Sequence, residues 1–121
     1  MLPAAARMRR RQDFELAVRR GSRAGGESVT AHLLVRDDQA APALIGFVVN
    51  RAVGNAVVRN RVRRRLRHLA RVRAGGLPAG SLLVIRAKPR AADIRQRDLA
   101  AELDLVIGRL LRRQVRALDR P

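Results

Sequence analysis

The side chains with chemical potential in this 121-residue chain are two histidines and an unusual number of arginines, and their spacing assigns them different prospects. His32 and His68 stand 36 residues apart, neither has a carboxylate pair nearby at an acid–base or ligand spacing, and cysteine is absent. No catalytic residue, metal-ligand set or bound cofactor of the protein's own is expected. The arginines cluster instead. Between positions 59 and 73 stand Arg59, Asn60, Arg61, Arg63, Arg64, Arg65, Arg67, His68, Arg71 and Arg73. At 100° per residue Arg59, Arg63 and Arg67 stack on one helical face with Asn60, Arg64 and Arg71 beside them, a row able to follow a phosphate backbone for about 15 Å.

The charge of the whole chain points the same way. Twenty-seven basic residues against 10 acidic ones leave a net charge of +17, and all but Lys88 of the bases are arginine, the planar bidentate donor to phosphate. No acidic residue occurs between Asp38 and Asp93, whereas twelve basic ones do. A merely solvated helix mixes signs to gain pair energies, so an external polyanion must offset this repulsion. With only Phe14 and Phe47 as aromatics, readout by stacking several bases is not expected.

The elements that must position these residues follow from periodicity. Gln12 to Arg20 reads as a short helix with Asp13 as its N-cap, Phe14, Ala17 and Val18 on one stripe, and Gly21 at its end. Gly21-Ser22 and Gly25-Gly26 read as turns. Val29 to Arg36 and Ala43 to Asn50 are β-like runs, expected to pair as an antiparallel hairpin. Gly54-Asn55 precedes a helix over Ala56 to Arg73 whose buried stripe is Val58, Val62, Leu66 and Leu69. Ser81 to Ala87 reads as a buried strand, and a final helix is expected from Asp98 with Leu99, Leu103, Val106, Ile107, Leu110 and Leu111 on one face. The expected fold class is α+β, a small single-domain α-β sandwich over 1–121 in helix-strands-helix-strand-helix order, with residues 1–8 disordered. No run of 18 apolar residues is present and the N-terminal segment lacks a signal-peptide core, so a cytoplasmic protein with no membrane association is expected.

The stretch Val48 to Arg67, VVNRAVGNAVVRNRVRRRLR, resembles the signature of the bacterial ribonuclease P protein component, with its Gly-Asn-Ala-Val, its Arg-Asn-Arg and its basic helix. Arg9 to Phe14 with Val18 and Gly21 is similar to that family's first helix, and Leu82 to Ala87 to its last strand. The resemblance implies a left-handed βαβ crossover and a subunit that assists a catalytic RNA, the ribonuclease P RNA, in removing the 5′ leader of precursor tRNA. It implies Mg²⁺ held by the RNA, no cofactor on the protein, and a monomer within a 1:1 protein–RNA complex. Carried over by position, Arg51, Asn55, Arg59, Asn60, Arg61, Arg63, Arg64, Arg67 and Arg71 would contact RNA, and Phe14, Val18, His32, Val48 and Asn50 would line the leader cleft. Asn50, Arg51 and Ala52 depart from the family's usual serine and lysines, and Val18 and His32 stand where aromatics are frequent. A structural RNA-binding protein such as a ribosomal protein is the alternative. A DNA-groove reading lacks a helix-turn-helix partner, and a membrane-surface reading lacks a wide apolar stripe.

Overall fold

The computed structural model describes residues 2–38 and 40–119, with side chains through Arg116. Helix α1 (Arg11–Arg20), strands β1 (Ser22–Gly25), β2 (Val29–Val35) and β3 (Leu44–Val48), helix α2 (Ala56–Arg73), strand β4 (Ser81–Ala87) and helix α3 (Gln96–Asp119) follow in chain order. The strands form one sheet in the order β1-β2-β4-β3. α1 covers one face of that sheet; α2 and α3 cover the other.

This layering explains the unbroken apolar run of β4, which is buried from Ser81 through Ile85. Leu83 and Ile85 face the α2/α3 side beside Val62, Leu66, Leu103 and Leu110, whereas Leu82 and Val84 face α1 beside Ala17 and Met8. A strand covered on both faces has no reason to alternate with polar residues. The same demand places β4 centrally. It pairs antiparallel with β2 and parallel with β3, so the expected antiparallel hairpin between β2 and β3 does not form. β1, an edge strand of four residues that includes Arg23 and Gly25, has too little apolar pattern to be read from sequence and pairs antiparallel with β2.

The β3-α2-β4 unit is left-handed. Lys88 N–H donates to Ser28 O at 2.8 Å, so even-numbered residues of β4 aim their peptide groups at β2 and odd-numbered ones at β3. Seen from the α2 side with β4 running upward, the odd-numbered side chains face the viewer, and L-chirality then turns their peptide groups to the right. β3 therefore lies to the right of β4, and the chain passes in front through α2 to reach a strand on its left, against the common hand for such crossovers.

The segment before α1 packs on the fold: Leu2 and Met8 are buried, Ala4–Ala6 form a 3₁₀ turn, and Met8 N–H donates to Ile45 O at 2.8 Å along the β3 edge. Those two apolar side chains supply the anchor that the arginine-rich segment itself lacks; Met1 lies outside the described residues. The two helix starts expected at aspartates are corrected. α1 begins at Arg11 without a side-chain cap, and Asp13 sits inside its first turn, where a carboxylate complements the helix dipole. α3 likewise begins two residues before Asp98.

Candidate nucleic-acid interface

Asn55 starts α2. Its side chain accepts from Val58 N–H at 3.0 Å, and Gly54 supplies the turn at φ +155°, where a Cβ would lie 2.8 Å from Val58 Cγ1. Val62, Leu66, Leu69 and Ala70 seat the helix on the sheet, with Val58 only partly buried. The arginines then divide by azimuth into two groups with different work.

One group ties the protein to itself. Arg65 donates through Nε to Gln96 Oε1 at 2.8 Å, through Nη1 to Ala91 O at 3.1 Å and through Nη2 to Ile94 O. Burial, with a smaller contribution from Arg61, lowers its pKa below the ordinary arginine value. Arg73 reaches Asp104 at 2.6 Å, Leu69 O at 2.8 Å and Ala100 O at 3.4 Å. Arg61 leans the same way, to Ala92 O at 3.4 Å. Arg61, expected among the RNA contacts, thus stands on the side of the segment leading to α3.

The other group is open. Asn60, Arg63, Arg64, Arg67 and His68 line a groove of about 580 Å³ that contains no carboxylate. Arg63 spans from Asn60 Oδ1 at 3.0 Å to Val49 O at 3.3 Å, which holds one guanidinium at the junction of α2 and β3. Arg71 is exposed further along α2, and Arg51 is exposed in the turn before it. Arg59 is half-buried, its Nε enclosed and without a hydrogen-bond partner among the described residues.

Around the β3 edge this groove gives way to a smaller hollow, lined by Met8, Phe14, Gly46, Phe47, Arg63 and Arg67. Phe14 also borders a third, more open cleft of about 400 Å³ between α1 and the sheet, with Arg11, Glu15, Val18, Arg19, Val48 and Arg86. Val18 remains 42% exposed, an apolar surface left uncovered at the cleft mouth. Phe14, Val18 and Val48 are therefore brought together at one cleft. Asn50 is not among the lining residues; its Oδ1 accepts from Ala52 N–H at 3.1 Å and shapes the turn after β3. His32 is not among the lining residues either; it lies half-buried on the α1 side of the sheet. It faces the same side of the sheet as Arg86, directly opposite Arg23, with Nδ1 enclosed and unpartnered. Burial foremost, then Arg23 and Arg86, lowers its pKa from the usual histidine value.

Arg86, Arg11 and Arg19 are cleft residues that sequence reasoning missed. Arg86 carried a signal, being the one charged residue in an otherwise buried strand. Arg11 and Arg19 were indistinguishable from a solvated helix face.

The three cavities form a cationic track, apolar-floored only where it passes Phe14, around a left-handed α+β sandwich, and define a protein built to hold a polyanion along its surface. Among the described residues no group of three histidine or carboxylate side chains could hold a metal, and no helix is long and apolar enough to cross a membrane. The Ribonuclease P family model matches residues 2–118. The ribonuclease P protein component of Thermobifida fusca is 52% identical over 93% of this chain and 80% of its own. That of Streptomyces avermitilis is 51% identical, covering 92% and 96%. The Staphylococcus aureus RNase P protein, in a mutant with defective mRNA degradation activity, superposes with a TM-score of 0.76 at 21% identity, over 86% of each chain. The RNase P protein from Thermotoga maritima gives 0.70 at 24% identity, over 88% and 96%. At such identities the structural likeness speaks for the fold; the sequence relatives carry the family. The chain belongs to the bacterial ribonuclease P protein component family, and as such it is a subunit of the tRNA-processing ribonucleoprotein and a partner of the ribonuclease P RNA.

Proposed function

We propose that the open face of α2 docks on the ribonuclease P RNA and that the cleft under α1 holds the 5′ leader of precursor tRNA, in a 1:1 cytoplasmic complex whose RNA performs the Mg²⁺-dependent hydrolysis. The observation that carries this reading is the difference in lining between two adjoining surfaces. The α2 groove is lined by polar and cationic side chains, suited to phosphates of a folded RNA. The α1 cleft combines a phenylalanine ring and two valines with arginines at the rim, suited to an extended single strand whose bases are free and whose phosphates flank them. Asn60, Arg63, Arg64 and Arg67, with Arg71, Arg51 and Arg59 at the margins, take the RNA subunit. Phe14, Val18, Val48 and Arg86 take the leader, with His32 beneath.

A protein that grips the leader binds precursor more tightly than product, since only the precursor has a leader to grip. Its positive field also lowers the Mg²⁺ needed to bring two RNAs together. The test is cleavage of a leader-bearing precursor tRNA at low Mg²⁺ by ribonuclease P RNA with and without this protein. Cleavage at the mature 5′ end only with both components is the expected result. No gain from the protein, or equal affinity for precursor and mature tRNA, would refute the proposal.

A further inference from the structure

At the edge of the sheet opposite α2 lies a second concentration of arginines. α1 ends in Arg19 and Arg20, β1 carries Arg23, and α3 carries Arg112, Arg113 and Arg116, all exposed. They belong to one surface because Arg113 donates to Arg23 O across 90 residues of sequence and α3 packs along β1. No described carboxylate neutralises them. Glu15 pairs with Arg11, Glu27 with Arg90 and Asp104 with Arg73, and Glu102 is held by the backbone N–H groups of Ser28 and Val29. The helix ends attract cations, but a dipole supplies only about half a charge at each end. Two helix C-termini cannot offset six guanidinium groups.

The cluster is continuous with the cleft. Arg19 lines the cleft wall and Arg20 follows it. On the sheet, Arg23 lies directly opposite His32 and on the same face as Arg86, which pairs with Thr30 one step along the strand. A strand of nucleic acid that crosses the sheet from Val48 meets Arg86 after one inter-strand spacing and β1, with Arg23, after three, about 14 Å from β3. We infer that the β1-edge cluster of Arg20, Arg23, Arg113 and Arg116 binds phosphates of the upstream part of the 5′ leader, beyond the nucleotides seated in the α1 cleft. This rests on the assignment of the leader to the α1 cleft and adds a distance to it: leader nucleotides count toward affinity as far as the edge of β1.

The test uses holoenzyme reconstituted with ribonuclease P RNA, and precursors whose leaders either end within the cleft or reach past β1. The triple variant Arg20→Gln, Arg23→Gln, Arg116→Gln removes charges whose side chains make no described hydrogen bond to the protein; Arg113→Gln is measured separately because it also breaks the tie to β1. The long leader should lose its affinity advantage over the short one in the triple variant. The salt slope for the long-leader precursor should shrink by about 0.7 for each phosphate no longer neutralised, while short-leader binding and assembly with the RNA stay at wild-type levels. An equal loss for both leaders, a loss of RNA assembly without leader-length dependence, or no change at all would overturn the inference. Phe14→Ala is the control for the reading beneath it. If that variant abolishes precursor preference while the triple variant does nothing, the cleft stands and only its extension fails; if neither acts, the leader assignment itself fails.

Discussion

The ring of Phe14 rests on the backbone of Gly46: a Cβ built at Gly46 would lie 2.4 Å from Phe14 Cζ and 2.5 Å from Cε1. A side chain at 46 and an aromatic ring at 14 cannot occupy this space together, so the glycine sets how deep the cleft floor lies. Gly46→Ala should displace the ring and destabilise the fold by about 1–3 kcal/mol, the range for an overpacked core. It should also erase most of the preference for precursor over mature tRNA. Adding Phe14→Ala should cost less stability than it does in the wild type, because the clash goes with the ring, and should not recover the preference. Urea unfolding and paired binding measurements on the four proteins of this cycle decide it; additive stability losses would mean that the two residues do not meet.

The two groups of α2 arginines should separate experimentally. Arg64 and Arg67 line the open groove and make no described hydrogen bond to the protein. Changing both to glutamine should leave the unfolding midpoint close to wild type and flatten the salt dependence of RNA-subunit binding, by about 0.7–0.9 for each phosphate left without its arginine. Arg65→Gln should do the reverse. Its loss leaves the Ala91 and Ile94 carbonyls without their donor and should cost about 1–3 kcal/mol, with the salt slope unchanged.

Legibility in the sequence followed the range of the forces involved. α2 was bounded at Ala56 and Arg73 because its cap, its apolar stripe and its closing glycines are all local. β4 was visible as a compact apolar run for the same reason. Strand order was not visible. Which of two apolar strands pairs with a third depends on burial of both faces, a property of the assembled layers, and adjacency of β2 and β3 in sequence suggested the wrong partner. The candidate surfaces show the same division. Spacing on one helix placed Asn60, Arg63, Arg64 and Arg67 together, and the family signature added Phe14, Val18 and Val48. It could not sort Arg61 and Arg65 from Arg64 and Arg67, because the difference lies in what the segment between β4 and α3 offers them. Arg86 entered the cleft only through the register of β4 beside β3.

The turn between β1 and β2 is tied to α3 by one carboxylate. Glu102 of α3 accepts from Ser28 N–H at 2.9 Å and from Val29 N–H at 2.8 Å, both residues being fully buried. Glu102→Ala should leave two buried donors unsatisfied and cost about 2–4 kcal/mol, since each such bond to a charged group contributes about 1.5–3 and the orphaned groups can partly rehydrate. Glu102→Gln should retain part of the loss: both bonds end on Oε2, which an amide oxygen can replace, but the acceptor loses its charge and the amide NH₂ would face Ser28 N–H where Oε1 stands at 3.2 Å. The check is denaturant unfolding with an unchanged slope. Wild-type stability in the alanine variant would show that the tether is dispensable.

His32 should make folding stability depend on pH in a known direction. Burial under α1 first, and the nearby Arg23 and Arg86 second, depress its pKa in the folded chain, while the unfolded chain titrates near the ordinary value of about 6.5. Between the depressed value and 6.5 the unfolded state therefore binds the proton that the folded state refuses. Stability rises with pH through that window, is fully present above it, and is lost as pH falls through the folded-state pKa. The slope cannot exceed about 1.4 kcal/mol per pH unit for one group. Subtracting the stability curve of His32→Phe from that of the wild type isolates this residue from the carboxylates that titrate lower down. A difference curve that climbs from acid and levels off near pH 6.5 is expected. A flat difference would mean that the imidazole exchanges its proton as freely in the folded protein as in the unfolded chain. A descending one would mean that some acceptor under α1 favours the charged form despite the two arginines.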